Sequence, residues 1–121
     1  MVTALACSLA GQRHRVTIRP GTRAGTLYGV ATADEDFYCS YGVNPEWVSR
    51  LQEGGLSVSG VGDAGEARIV ELPRHPFYVV TLFIPQARST AAEPHPLLVG
   101  FAAAATGRRR SVRTRGPASA P

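Results

Sequence analysis

Two cysteines, Cys7 and Cys39, could supply a thiolate nucleophile or a metal ligand. A catalytic thiol needs a helix N-terminus or a base beside it, because only the thiolate attacks. Cysteine metal sites typically show CxxC spacing, which neither residue has, and two cysteines are too few for a disulfide framework. The sequence therefore predicts two small, buried thiols and no metal site.

Three histidines could act as acids or bases, since imidazole titrates near neutral pH. His75 and His95 each precede a proline, and proline-flanked residues usually shape turns. No plausible nucleophile stands next to either residue in the sequence. We expect His75 and His95 to be structural and His14 to be a surface residue.

The net charge of +4 is concentrated at the C-terminus. All 13 basic residues are arginines, and five of them fall within residues 108–121, which contain no acid. Without this tail the chain has eight basic and nine acidic residues. The tail could bind nucleic acid through phosphate contacts, but it has no aromatic residue to stack on bases. We expect a solvated, disordered tail over 108–121 and one folded domain over 1–107.

The length of 121 residues and the apolar content of 44% suit one compact globular domain. No apolar run approaches the roughly 20 residues that a membrane-spanning helix needs. The start of the chain lacks the basic segment of a secretory signal. We therefore expect a cytoplasmic protein without membrane contact.

The first third of the chain predicts short strands and turns. VTALAC, RVTIR and FYCSYGV are apolar or aromatic stretches typical of strands, and the acidic stretch ATADED is predicted to be a loop. Leu27 and Tyr28 are predicted to lie in a short turn or helix that Gly29 ends.

The segment VNPEWVSRLQEGG predicts a short amphipathic helix. Asn44 is a good N-cap, and Pro45 fits the first helical position. Trp47, Val48 and Leu51 form an apolar stripe, and a glycine pair ends the helix.

The rest of the chain predicts a hairpin, a buried strand and a helix. LSVSGVG and EARIVEL, joined by a Gly/Asp turn, predict the β-hairpin. FYVVTLF predicts a strand buried on both faces, followed by a polar loop. HPLLVGFAAAAT predicts a helix that directs Leu97, Leu98 and Phe101 to the core and ends at Gly107.

Five phrases occur in an order that is known from one family: PGTRAGTLYG, YGVN, GLSVSG, VELPRHPFYVVTLFIPQ and HPLLVGFAAAA. Together they cover about residues 16–105 and resemble the C-terminal portion of a class I glutamine amidotransferase domain of the CTP synthase type. The resemblance implies an α/β fold, a three-layer flavodoxin-like domain of which this chain holds the C-terminal portion. A parallel-sheet domain divided in this way would leave a strand edge unpaired.

In that family a cysteine on a strand–helix elbow attacks the glutamine amide, and a histidine with a glutamate activates this cysteine. The ammonia that is released passes to a synthetase domain, which aminates UTP. The family's Phe-His-Pro-Glu falls here on Phe83, Ile84, Pro85 and Gln86. Ile84 cannot accept a proton, and Gln86 carries no charge to stabilise an imidazolium. An arginine that holds the substrate in the family falls on Ser40, which cannot make a bidentate carboxylate contact.

The resemblance therefore implies a chain without glutamine chemistry. No Gly-x-Cys-x-Gly elbow is present, so the family's nucleophile has no counterpart. Cys39 and Tyr41 fall on a strand that borders the glutamine pocket in the family and could line a remodelled pocket, although a packed thiol is the simpler interpretation. No cofactor is expected, and a link to pyrimidine biosynthesis rests on resemblance alone.

Three functions remain open on the sequence. The first is a non-catalytic amidotransferase homologue that acts as a binding or regulatory module. The second is a fragment of a CTP synthase-like enzyme, or of an amide or γ-glutamyl hydrolase, whose nucleophile lies in a missing N-terminal half. The third, nucleic-acid binding through the basic tail, is disfavoured. The expected partner is a chain or domain that completes the amidotransferase fold.

Overall fold

The computed structural model of the chain describes residues 1–5 and 8–114, with side chains up to residue 107. It has the mixed α/β composition that was predicted. In chain order the elements are β1 (Val2–Ala4), β2 (Gln12–Ile18), α1 (Arg23–Tyr28), β3 (Thr32–Phe37), β4 (Tyr41–Val43), α2 (Pro45–Glu53), β5 (Ser57–Val61), β6 (Ala67–Glu71), β7 (Val79–Thr81), a 3₁₀ turn (Pro85–Arg88) and α3 (Pro96–Thr114).

Five strands form one sheet in the order β3-β2-β5-β6-β7, and β1 pairs with β4 in a separate two-stranded sheet. All the described pairings are antiparallel, so the expectation of a parallel sheet is wrong for these strands. Several of the strands follow one another through short turns, and short connections permit only antiparallel pairing. β3 and β7 are the two edge strands.

The hairpin prediction is confirmed, with Val58 of β5 opposite Val70 of β6. The pairing contains a β-bulge next to Gly60. A Cβ atom at Gly60 would lie 2.6 Å from Cγ1 of Ile69, so no larger residue fits there. The bulge thus lets the buried Ile69 side chain pack directly against the β5 backbone.

The larger core lies on the sheet face that α1 and α3 cover. Its buried members come from both helices, from β2, β3 and β6 and from the segment after β7: Val16, Ile18, Ala24, Phe37, Ile69, Phe83 and Leu97. Each large aliphatic or aromatic side chain buried here contributes about 1.5–3 kcal/mol. A smaller core of Val58, Ala67 and Val70 lies on the opposite face, beneath Val48 of α2 and Val43 of β4.

The α2 helix forms as predicted. The Oδ1 atom of Asn44 accepts a hydrogen bond from the Glu46 N–H at 3.0 Å, and Pro45 takes the first position. The predicted turn at Leu27 and Tyr28 is the end of α1, where Gly29 adopts a φ of +65° and ends the helix.

The acidic stretch predicted to be a loop is strand β3. Its carboxylates face arginines of β2: Asp36 lies 2.8 Å from Arg13, and Asp34 lies 3.6 Å from Arg15. These cross-strand ion pairs make an acidic strand compatible with the sheet. The FYCSYGV strand is correspondingly interrupted, since β3 ends at Phe37 and β4 begins at Tyr41.

The prediction that FYVVTLF is buried on both faces is wrong. Only Val79–Thr81 is strand, and the Val80 side chain is 44% exposed. A run of apolar residues does not distinguish an interior strand from an edge strand whose outer face lacks a cover.

Helix α3 forms where predicted but differs in its packing and its length. Leu97 is buried, whereas Leu98 and Phe101 are exposed. The contact face instead includes Gly100, where a Cβ atom would lie 2.6 Å from Leu27 of α1.

The helix also continues past Gly107 to Thr114, because one glycine costs only about 1 kcal/mol and alanine and arginine favour helix. Residues 108–114 of the tail predicted to be disordered thus belong to α3, and 115–121 lie outside the described residues. Within the described part of the chain, no helix combines the length and the apolarity needed to cross a membrane.

Candidate functional site

A buried carboxylate, Glu35, is the centre of the most extensive polar cluster in the core. Alternation along β3 directs Ala33, Glu35 and Phe37 away from solvent. Tyr28 comes from the last turn of α1, Arg88 from the end of the 3₁₀ turn, and His95 from the residue before α3. We refer to Tyr28, Glu35, Arg88 and His95 as the Glu35 cluster.

The other three members of the Glu35 cluster each make a hydrogen bond to the Glu35 carboxylate. The Tyr28 hydroxyl donates to Oε1 at 2.6 Å. Arg88 donates from Nε to Oε2 at 2.9 Å and from Nη2 to Oε1 at 2.6 Å. His95 Nε2 lies 2.9 Å from Oε1.

The backbone of α3 fixes the tautomer of His95. Its Nδ1 accepts a hydrogen bond from the Leu97 N–H at 3.1 Å, so the ring proton of the neutral imidazole lies on Nε2 and is donated to Glu35. The backbone N–H of His95 donates a hydrogen bond to Ser89 Oγ at 2.9 Å. Both ring nitrogens of this fully buried side chain are therefore engaged, as the structural interpretation of His95 expects.

The charges in the Glu35 cluster are stabilised by one another. Burial alone would raise the pKa of Glu35, but the hydrogen bonds from His95, Arg88 and Tyr28 outweigh it and lower that pKa to about 2. Burial and the hydrogen bond to Glu35 raise the pKa of Tyr28. The hydrogen bond to Glu35 also raises the pKa of Arg88. The carboxylate is thus ionised and fully occupied, which suits a positioning role and not proton transfer.

Ile84 and Gln86, on which the family's catalytic histidine and glutamate are predicted to fall, lie where β7 leads into the 3₁₀ turn. The Ile84 N–H donates to the Asp36 carbonyl at 3.0 Å, so the start of this turn lies beside the end of β3. Gln86 is exposed within the turn. Arg88, two residues later, ties the same turn to Glu35, and the cluster therefore holds in place the segment that carries both positions.

Ser40, Cys39 and Tyr41 lie in and after the loop that joins β3 to β4. Ser40 Oγ lies 2.8 Å from Ser8 Oγ, and both residues are exposed. The Cys39 thiol is free and exposed, so the prediction of a packed thiol is wrong for this residue. Its aromatic neighbours occupy the surface rather than enclosing it, and Tyr41 itself is 59% exposed. The other cysteine, Cys7, lies outside the described residues.

The other two histidines, His75 and His14, each make a hydrogen bond to a residue two positions away in the chain. His75 Nδ1 accepts from the Phe77 N–H at 3.1 Å, as expected for a residue that shapes a turn. His14 is only partly buried and bonds to Gln12 at 2.7 Å. Among the described residues, no group of three or more His, Cys, Asp or Glu side chains is arranged to hold a metal ion.

A second buried carboxylate, Glu71, serves the fold. Its two oxygens accept hydrogen bonds from the Arg23 and Ala24 N–H groups at 2.8 Å and 3.1 Å. They thereby satisfy the first amides of α1. An open pocket of about 420 Å³ lies beside this contact, between Thr22 and Ser57.

The sequence interpretation missed three members of the Glu35 cluster: Tyr28, Glu35 and Arg88. The available signal was the alternation of Ala33, Glu35 and Phe37, which places one carboxylate of an acidic stretch on the inner face. Tyr28 and His95 lie 67 residues apart in the chain. Partners at such separations leave no local pattern in the sequence.

Comparison with known proteins decides the family. The chain is 43% identical over 89 residues to the CTP synthase of Flavobacterium johnsoniae and 43% identical over 96 residues to that of Archaeoglobus fulgidus. It superposes on the glutaminase domain of Trypanosoma brucei CTPS, solved with bound acivicin, with a TM-score of 0.74 and 28% identity. The chain is homologous to the glutaminase domain of CTP synthase. No family model matches it.

The homology covers most of this chain but only part of its relatives. The two matches take in 73% and 78% of this chain, yet only 17% and 18% of the two CTP synthases. The structural match covers 84% of this chain and 41% of the Trypanosoma glutaminase chain. The chain therefore corresponds to a part of the amidotransferase domain, in agreement with the predicted family and α/β fold.

Proposed function

We propose that this chain is a non-catalytic homologue of the CTP synthase glutaminase domain that acts as a binding or regulatory module. The observation that carries the proposal is the strand end at Ile84 and Gln86. Its backbone is held in place by the Ile84–Asp36 and Arg88–Glu35 hydrogen bonds, yet neither side chain can take up a proton from a thiol. The turn is thus held in place, while its two side chains at Ile84 and Gln86 offer no group that could accept the proton.

The thiol and the substrate contact support the same proposal. Cys39 is exposed in the loop between β3 and β4 and does not lie on the tight strand–helix elbow that a nucleophile of this type needs. Ser40 bonds to Ser8 and offers no positive charge to a substrate carboxylate. A cytoplasmic location is part of the proposal, because a free exposed thiol persists most readily in a reducing compartment.

The experiment is a chimera of the Flavobacterium johnsoniae CTP synthase in which the 89 matched residues are replaced by those of this chain. We expect no ammonia release from glutamine, while CTP formation from added ammonia persists and reports a folded synthetase. Glutamine hydrolysis by the chimera at a rate near that of the parent enzyme would overturn the proposal.

A second function is favoured by the partial coverage of the solved glutaminase chain, 41%. The chain would then be a fragment of an enzyme, and a partner that supplies the remaining part of the domain would bring the nucleophile. This alternative predicts glutamine or γ-glutamyl amide hydrolysis by the complex of the two parts. The chimera separates the two functions, because only an active enzyme fragment would support hydrolysis.

A further inference from the structure

An apolar groove of about 200 Å³ lies between α3 and the loop that joins β6 to β7. We refer to it as the Phe101 groove, because the Phe101 side chain forms one wall and is 57% exposed. The loop and the helix each contribute three lining residues: His75, Pro76 and Phe77 from the loop, and Phe101, Ala104 and Ala105 from α3.

Arg23 of α1 holds the loop side of the groove in place. Its Nη2 donates a hydrogen bond to the His75 carbonyl at 3.1 Å, and its Nη1 donates to the Pro76 carbonyl. Its Cζ atom lies 5.4 Å from the centre of the Phe77 ring. That ring packs edge-to-face on Phe101, with 5.6 Å between the ring centres. Because these contacts are internal to the chain, an occupant would have to order little of the groove on binding.

The size and the lining of the groove suit one apolar side chain of a partner. Pockets that enclose whole small molecules typically measure about 300–1,000 Å³, and this groove is smaller. His75 is the one polar residue among those that line it. Its Nδ1 accepts the Phe77 N–H, so the proton of the neutral ring lies on Nε2. The described residues make no hydrogen bond to this N–H, which leaves a donor beside the apolar surface.

The surroundings of the Phe101 groove are basic. Arg74 lies in the loop and is exposed. On the other side, the α3 backbone continues through Arg108 and Arg109, one turn after the two alanines that line the groove. Neither the loop, residues 72–78, nor α3 contains an acid. Glu71, which precedes the loop, is buried, and its oxygens accept two amides of α1. The charge that complements this surface is therefore negative.

We propose that the Phe101 groove binds an acidic peptide segment of a partner protein, with one aromatic or large aliphatic side chain in the groove and carboxylates beside His75 and the surrounding arginines. The occupant is argued from the charge complementarity and from the volume, since a recess of this size takes a single inserted side chain and a lipid surface is flat. The inference goes beyond the proposed function and is independent of the absence of catalysis, because neither Ile84 nor Gln86 lines the groove.

The test titrates the full chain into a labelled peptide in which glutamates flank a single phenylalanine on both sides, with fluorescence anisotropy as the readout. We expect saturable binding that weakens as the NaCl concentration rises, because salt screens exposed ion pairs. A peptide with alanine in place of the phenylalanine should bind roughly tenfold more weakly, since the burial of one aromatic side chain is lost.

Two substitutions on α3 form a matched pair. Phe101→Ala removes one wall of the groove and should weaken binding of the peptide roughly tenfold. Val99→Ala should leave the affinity unchanged, because Val99 is an exposed apolar residue of the same helix that does not line the groove. Ala105→Leu fills the groove without removing a buried side chain, and it tests the groove if Phe101→Ala does not fold.

A second pair tests the charge. Arg108→Ala combined with Arg109→Ala should weaken binding roughly fivefold, since two exposed ion pairs are lost. Arg15→Ala combined with Arg50→Ala removes the same charge on the other side of the sheet, where α2 lies, and should have a smaller effect. Equal effects of the two pairs would indicate attraction to the net charge alone and would overturn the inference.

The remaining outcomes also decide the occupant. Failure of the folded chain to bind the peptide, or binding that Phe101→Ala and Ala105→Leu leave unchanged, overturns the inference. Tighter binding of phosphatidylserine vesicles or of single-stranded DNA than of the peptide would assign the surface to a membrane or to nucleic acid and overturn it. A dimer that Phe101→Ala dissociates would assign the groove to a second copy, with the same consequence.

Displacement of the peptide by the Trypanosoma glutaminase domain, with its matched part removed, would assign the groove to the rest of the domain and likewise overturn the inference. None of these outcomes bears on glutamine hydrolysis, which the chimera tests separately.

Discussion

Arg88 donates two hydrogen bonds to Glu35, from Nε to Oε2 at 2.9 Å and from Nη2 to Oε1 at 2.6 Å. This pair joins the 3₁₀ turn after β7 to the middle of β3. Glu35 is fully buried, while the Arg88 side chain is 28% exposed. Such a pair positions two elements relative to one another, because removing either partner leaves the other charge without its counter-ion.

Glu35→Gln should lower the free energy of unfolding by roughly 3 kcal/mol, since it keeps the shape of the side chain but leaves Arg88 without its counter-ion. Urea unfolding followed by circular dichroism measures the change. Asp34→Asn is the matched control, because its exposed partner Arg15 lies 3.6 Å away and such pairs contribute at most about 1 kcal/mol. Equal effects of the two substitutions would contradict a positioning role for Glu35.

The same carboxylate should make stability depend on acid pH. The Glu35 carboxyl, faced by Tyr28, Arg88 and His95, has a pKa lowered from its ordinary value of 4.5 to about 2 in the folded chain. Its contribution is therefore complete above pH 4.5 and is lost as the pH falls towards 2. The loss amounts to about 3 kcal/mol.

Urea unfolding at several pH values between 2 and 6 measures this loss, and Glu35→Gln should flatten the profile over that range. A variant profile parallel to that of the unchanged chain would show that another group carries the acid sensitivity.

The sequence predicts the local elements well where one short segment determines them. Asn44 and Pro45 define the start of α2, and the apolar alternation with a Gly/Asp turn defines the β5–β6 hairpin. These signals depend on backbone preferences within a few residues. The resemblance to the amidotransferase family was likewise detectable, because five short sequence segments occur in the order known from that family.

Long-range pairing accounts for what the sequence did not reveal. The acidic residues of β3 look like a loop until Arg13 and Arg15 lie beside them. The core face of α3 depends on the close approach of Gly100 to Leu27, which replaces the expected contacts of Phe101. In both cases the partner residue is distant in the chain, so local propensity gives no indication of it.

The Cys39 thiol should react rapidly in the folded protein, because its side chain is exposed and free. In a Cys7→Ser background, which leaves Cys39 as the sole thiol, one equivalent should react with an aromatic disulfide reagent without added denaturant. Cys39→Ser in the same background should abolish the reaction. A thiol that reacts only after unfolding would restore the packed interpretation.

If the chain is non-catalytic as proposed, Ile84→His combined with Gln86→Glu should introduce glutamine hydrolysis into the Flavobacterium johnsoniae chimera that carries this chain's residues. The two substitutions place a base and an orienting carboxylate on a turn that Arg88 and Glu35 already hold in position. Ammonia release from glutamine should rise at least tenfold above that of the unsubstituted chimera. Ile84→Asn with Gln86→Glu is the matched control. An amide cannot accept the thiol proton, so this control should leave the rate of ammonia release unchanged.

Adding Ser40→Arg to the double substitution should then lower the KM for glutamine, because the arginine supplies a positive charge for the glutamine carboxylate. If the double substitution folds but gives no more ammonia than its control, the substitutions at Ile84 and Gln86 alone do not explain the absence of hydrolysis, and the shape of the pocket must also differ.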